Sequence, residues 1–138
     1  MLCAEFPDTG ALLDHGTPGP AQKAVDVEAT TLDSLFSDSC KPSDRTLLKL
    51  DLQGHELQAL EGASRLLKHV EVALVEAPFF GDAGQPMVAN IIGFFHRNGF
   101  DLFESASLSG RPRDNRLREG DFLFVRQSSP LSADVHWS

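Results

Sequence analysis

One stretch constrains this chain more than any other: Thr46-Leu-Leu-Lys-Leu-Asp-Leu-Gln-Gly-His-Glu-Leu-Gln-Ala-Leu-Glu-Gly62. Thr46 to Leu50 is an apolar run of strand length. It meets an acid at Asp51 and a glycine at Gly54. From His55 the spacing turns helical, with Leu57, Leu60, Ala63, Leu66, Leu67 and Val70 recurring every three or four residues. This predicts a strand over 46–50, a turn over 51–54 and a helix over roughly 55–69. Such a unit opens a βαβ arrangement, and ligands of open α/β sheets sit just past the carboxyl ends of its strands.

The second strand follows at once as Val70-Glu-Val-Ala-Leu-Val75 and reaches another acid, Glu76. It is apolar at nearly every position, which predicts burial on both faces, as in central parallel strands. A right-handed crossover would set the two strands side by side and bring Asp51 and Glu76 to one rim.

Upstream, residues 1–23 are rich in Gly and Pro and read as a loop or tail. Val25, Val27 and Ala29 alternate with polar residues, predicting a half-exposed strand over 25–30. Thr31 is placed to cap a short helix through Leu32, Leu35 and Phe36, and Asp33 suits its first turn. Downstream, Pro86 fits a first helical turn, with Val88, Ile91, Ile92, Phe94 and Phe95 forming an apolar face. Asn98-Gly99 reads as a left-handed stop. A short strand over 100–103, a loop rich in Ser, Gly, Pro and Arg, and a strand over 121–126 complete the pattern, with a tail behind.

With 138 residues and a net charge of −8, the chain amounts to one domain and lacks the basic surface that phosphate neutralisation requires of a nucleic-acid binder. No apolar run is long enough to span a bilayer, and no secretory signal is visible. Cys3 and Cys40 have no CxxC spacing and read as free thiols, which sets a cytoplasmic expectation.

The chemical candidates cluster at the opening stretch. Asp51 could act as a general base or orient a nucleophile, or simply cap the following helix. His55-Glu56 begins like a zinc-protease helix, but position 59 is Ala59 and no metal site follows. His55 is left as a base or substrate contact, or an exposed first-turn residue. Glu56 suits the helix dipole in any case. Glu76, costly in a buried strand, is expected to emerge at the rim. His15, His69, His96 and His136 read as surface residues. Arg111, Arg113, Arg116 and Arg118 could meet an anionic substrate, though a solvated loop is the preferred reading. A small α/β hydrolase would need a nucleophile motif, and none occurs.

Set in order, these pieces resemble a known family. Thr30-Thr-Leu-Asp-Ser-Leu35, Leu48-Lys-Leu-Asp-Leu-Gln-Gly-His-Glu-Leu57 with Leu60-Glu-Gly-Ala63, and Val75-Glu76 are similar to FkbM-type S-adenosylmethionine-dependent methyltransferases. Gly84-Gln-Pro86, Asn98-Gly99, Arg111-Pro-Arg-Asp114 and Asp121-Phe-Leu-Phe-Val-Arg126 extend the resemblance, which covers about 24–126. Gln53 stands where many members carry Glu. The resemblance implies an α/β fold: a partial Rossmann-like class I methyltransferase sheet, mostly parallel, with an antiparallel last strand inserted beside its predecessors and flanking helices. A domain over 24–128 would then be preceded by the 1–23 tail and followed by a tail over 129–138.

The implied chemistry is methyl transfer from S-adenosylmethionine to a hydroxyl of a sugar, lipid or secondary metabolite. Asp51, His55, Glu56 and Glu76 would line the acceptor side. The glycine-rich loop that holds the cofactor in this family has no counterpart here, so no cofactor-binding residue is assigned, and the chain reads as the later half of the domain. Weak binding of S-adenosylmethionine, or none, is expected, as is an open apolar edge beside the 46–50 strand that the 24–30 segment or a second copy could cover. A non-catalytic remnant serving as a binding or pairing module is the alternative reading.

Overall fold

The computed structural model describes residues 29–36, 38–41, 43–81 and 85–133. Of the sequence expectations, the 1–23 tail, most of the 25–30 strand, Cys3, His15 and His136 lie outside these residues. Ala29 and Thr30 are exposed and take no regular structure.

Helix α1 (Leu32–Phe36) begins as predicted at Thr31, whose Oγ1 accepts the Ser34 N–H at 3.1 Å. Strand β1 (Thr46–Leu50) leads to helix α2 (Glu56–Glu61), strand β2 (Val70–Pro78), helix α3 (Val88–Arg97), strand β3 (Phe100–Gly110) and strand β4 (Leu117–Arg126). The strands form one mixed sheet in the order β1-β2-β4-β3. β1 and β2 are parallel, and β4 runs antiparallel to both β2 and β3. The last strand is thus antiparallel, as expected, and lies between its two predecessors.

Four boundaries differ from the sequence reading. The helix expected over 55–69 stops at Glu61, and Leu66–Lys68 forms a separate 3₁₀ turn. Asp33 of α1 causes the break. Its carboxylate accepts the N–H groups of Arg65 at 2.9 and 3.0 Å and of Leu66 at 2.8 Å, capping a new turn where the old helix would have continued. Partial burial works the other way, but the Leu66 and Arg65 N–H groups outweigh it and hold the Asp33 carboxyl below its ordinary 3.8.

Helix α3 starts after Met87 rather than at Pro86, because Asn90 Oδ1 turns back to accept the Met87 N–H at 2.9 Å. Its end matches the prediction: Gly99 sits at φ 80° and Asn98 Nδ2 donates to Phe94 O at 2.9 Å. β2 runs on to Pro78, so Glu76 lies within the strand. Finally, β3 continues to Gly110 and β4 begins at Leu117, so most of the expected Ser- and Arg-rich loop is strand.

The core lies on one face of the sheet. Leu48 and Leu50, then Ala73, Val75 and Ala77, then Phe122 and Phe124 point to that face, in register, and pack against Leu60, Leu66, Ile91 and Phe95. Phe95 stacks on Phe124 with centroids 4.1 Å apart and meets Phe100 edge-on at 5.4 Å. On the opposite face Val72, Leu74 and Glu76 are half-buried, so β2 is covered on one side rather than two. Cys40 is a free thiol, half-buried against the core.

Candidate functional site

The carboxyl ends of β1 and β2 meet at the turn that the sequence places first. Leu52 to His55 reverse the chain, and the His55 N–H donates to Leu52 O at 3.3 Å. Both central residues are left-handed, Gln53 at φ 51° and Gly54 at φ 98°. Glycine suits such a backbone and glutamine does not, so Gln53 is held there by its surroundings. The side chain of Gln85 packs over the turn, and a Cβ on Gly54 would meet Gln85 Nε2 at 2.9 Å.

Glu56 clamps the turn from inside. It is 3 % exposed, and its carboxylate accepts the Leu52 N–H at 2.8 Å and the Gly54 N–H at 3.1 and 3.2 Å. Buried charge is tolerated here because backbone donors surround it.

Asp51 and Glu76 lie side by side, since Leu50 pairs with Val75 immediately before them. Their carboxyls are close enough to interact directly. Gln53 lays its amide across the pair, Nε2 donating to Asp51 Oδ1 at 3.1 Å and to Glu76 Oε2 at 3.4 Å. Lys49 Nζ approaches Asp51 Oδ2 at 3.4 Å.

The two acids separate electrically. The hydrogen bond from Glu76 holds Asp51 below its ordinary 3.8, helped by Gln53 and Lys49 and opposed by partial burial. Burial pushes Glu76 up to about 7, followed by its hydrogen bond to Asp51 and the negative charges of Asp51, Glu119 and Asp121. Such a pair carries one proton between two carboxyls near neutral pH.

The row continues across the sheet. Asp121 of β4 pairs with Glu76, and Ser107 of β3 pairs with Asp121, its hydroxyl 2.5 Å from Asp121 Oδ2. Sequence reasoning passed over Gln53 and Asp121 as functional groups, and Ser107 altogether. Only the strand register brings those last two to the row; the alternation of Asp121 with Phe122 was the one available hint.

His55 adjoins the turn and is half-buried. Its Nδ1 is buried without a hydrogen-bond partner. His69 is half-buried, and His96 is exposed with Nδ1 3.4 Å from Asp101. The four arginines are engaged around the β3–β4 turn. Arg111 forks onto Asp114 at 2.6 and 2.5 Å, chiefly thereby holding the Asp114 carboxyl below its ordinary range, and Arg113 reaches the same acid at 3.7 Å. Arg118 pairs with Glu119. Arg116 and Arg111 lie over the Phe80 ring, 4.3 and 5.2 Å from its centroid.

The methyltransferase FkbM domain matches residues 4–102, nearly three-quarters of the chain. This chain belongs to that family. No curated protein and no solved structure matches it. The matched span contains Asp51, Gln53, His55, Glu56 and Glu76 and starts well before the described residues.

FkbM methyltransferases use S-adenosylmethionine. The described residues do not form a cradle for it. Gly54 is the glycine at a strand end that could let backbone approach a cofactor, and the Gln85 side chain already fills the space above it. No group of three or more His, Cys, Asp or Glu among the described residues is placed to hold a metal, and no described helix is long and apolar enough to cross a membrane.

Proposed function

We propose that this domain is an S-adenosylmethionine-dependent O-methyltransferase whose described residues form the acceptor side of the site, in a partial Rossmann-like sheet of the class I kind. The observation that carries the reading is the Asp51–Glu76 pair at the carboxyl ends of adjacent parallel strands, where open α/β sheets bind their ligands. The substrate would be a sugar, lipid or secondary-metabolite hydroxyl.

In this reading the pair, with both carboxyls ionised above about pH 7, would accept a hydrogen bond from the acceptor hydroxyl and hold its proton, leaving that oxygen free for the methyl group that a bound donor would supply. Glu56 holds the turn and does not meet substrate, because its oxygens are occupied by backbone N–H groups. His55, half-buried beside the turn, is a second candidate contact for the acceptor, through an edge other than its buried Nδ1. Free Cys40 accords with a cytoplasmic setting.

With no cradle among the described residues, affinity for the methyl donor is expected to be weak, with Kd above about 0.1 mM. Labelled S-adenosylmethionine supplied at several millimolar, with a panel of glycosides and hydroxylated lipids, tests the proposal. Transfer should be measurable and fall about 100-fold or more in Asp51→Asn. Transfer unaffected by that change would refute the role of the pair.

The alternative is a non-catalytic family member that binds or pairs without turnover. Among the described residues β1 is an edge strand, with Leu47 44 % exposed, which favours it, since a second copy could add a strand there. Calorimetry with no detectable S-adenosylmethionine heat, together with a dimer in light scattering, would decide for that reading.

A further inference from the structure

We propose that Gln53 is a positioning residue: its amide, held in a left-handed backbone, bridges Asp51 and Glu76 and makes them function as a single proton-sharing unit. Three observations carry this. Gln53 is at φ 51°, a conformation that is strained for a residue with a Cβ and persists only where surroundings enforce it. The enforcement is visible: Glu56 accepts the N–H groups on either side of Gln53, and Gln85 packs on the next residue. The result of that backbone is that one Nε2 lies within 3.4 Å of an oxygen from each acid. An ordinary turn residue would put its side chain anywhere in solvent; this one spans the two strands.

The chemical consequence follows from the groups around the pair. Lys49 faces Asp51 from β1, while Glu119 and Asp121 face Glu76 from β4, and His55 adjoins the turn. On the Glu76 side the charges of Asp51, Glu119 and Asp121 are negative, Glu119 being paired with Arg118, and the Gln53 amide is a neutral donor set against them. Without it, the second carboxylate of the pair would be harder to ionise. A Glu at this position would set a third carboxylate against the two, and would turn the donor into an acceptor. Gln53 thereby sets the pH at which the pair can receive a proton.

The consequence for catalysis rests on the acceptor-site reading, but the measurement does not. Carbon-detected NMR of the Asp51 and Glu76 carboxyls in the full chain, from about pH 4 to about pH 9, should reveal two linked steps with the upper one near 7. Gln53→Met removes the donor at similar size and should raise the upper step by about half a pH unit, and Gln53→Glu should raise it further. Gln53→Gly relieves the backbone and should fold at least as stably as the parent, yet move the titration as Met does; it also serves if the other variants fail to fold. Steps that stay within about 0.2 pH units of the parent in Gln53→Gly and in whichever other variant folds would overturn the proposal and leave Gln53 a turn residue alone. Shifted steps without any methyl transfer would sink the enzymatic reading and leave this one standing. Transfer with unshifted steps would do the reverse.

Discussion

β2 and β3 lie in the same sheet with only β4 between them, yet they are held by different forces. β2 buries Val70, Ala73, Val75 and Ala77 and carries Glu76 among them. β3 buries Phe100 and leaves the next nine residues exposed, including Phe103 at 56 % and Leu108 at 50 %. Hydrophobic burial fixes β2, whereas the ladder to β4 and the stop at Phe100 fix β3. Function follows the same division. The strand that cannot shift its register carries the acid that must stay beside Asp51, and the exposed strand contributes only Ser107 to the row.

If burial holds the β2 side, its aromatic floor should be the most costly place to cut. Phe95→Ala removes a ring stacked on Phe124 and edged against Phe100, and should cost about 3–5 kcal/mol in urea denaturation. A loss below about 1 kcal/mol would mean that β4 and α3 are held together by something other than this packing.

That asymmetry also governs what could be read from the sequence. β1, β2 and α3 announced themselves through apolar runs and spacing, and the acids at 51 and 76 came side by side as the crossover required, although Glu76 lies within β2 and not past its end. The outer part of β3 did not, because Glu104 to Gly110 have neither the alternation nor the apolar content by which strands are recognised. Its two bulges, at Phe103 and Ala106, also disrupt the period of two. The premature end of α2 was equally hidden, since it depends on Asp33, a residue some thirty positions away. Gln53 was seen as a family variant, and its bridging role appears only once the turn is known to be left-handed at two successive residues.

The turn that ends β1 should be the next most sensitive point. Glu56→Ala leaves the N–H groups of Leu52 and Gly54 without their carboxylate in a largely buried place, at a cost of about 2–3 kcal/mol. Methyl transfer should fall with it, since the pair above the turn loses its support. Activity kept at the parent level in a folded Glu56→Ala protein would place the site elsewhere.

Glu76 sharpens the contrast through pH. An acid whose pKa rises on folding, here from 4.5 to about 7, binds its proton more tightly in the folded state. It therefore costs nothing below about pH 4.5, and its penalty grows as pH rises to about 7 and is constant above. Asp51, lowered from 3.8, acts oppositely and loses its contribution only as pH falls below that value. Because Glu76 is only half-buried, solvent screening reduces the penalty to about 1 kcal/mol. Glu76→Gln should therefore be more stable than the parent by about that amount at pH 8 and indistinguishable at pH 4.5. Activity of the parent should rise through about pH 7, and the variant should lose that rise.

The smallest effect is expected on β3, and it is the most direct test of the distinction drawn above. Phe103→Ser replaces an exposed ring at a bulge on an edge strand, outside the core cluster. If main-chain pairing with β4 holds this strand, stability should change by no more than about 0.5 kcal/mol in urea denaturation. Exposed apolar residues on an edge also invite association, so the serine variant should stay monomeric to at least the concentration the parent does in light scattering. A loss of 2 kcal/mol or more, on the order of a core truncation, would mean that Phe103 is covered in solution. β3 would then be a buried strand like β2, and the division between them would fall.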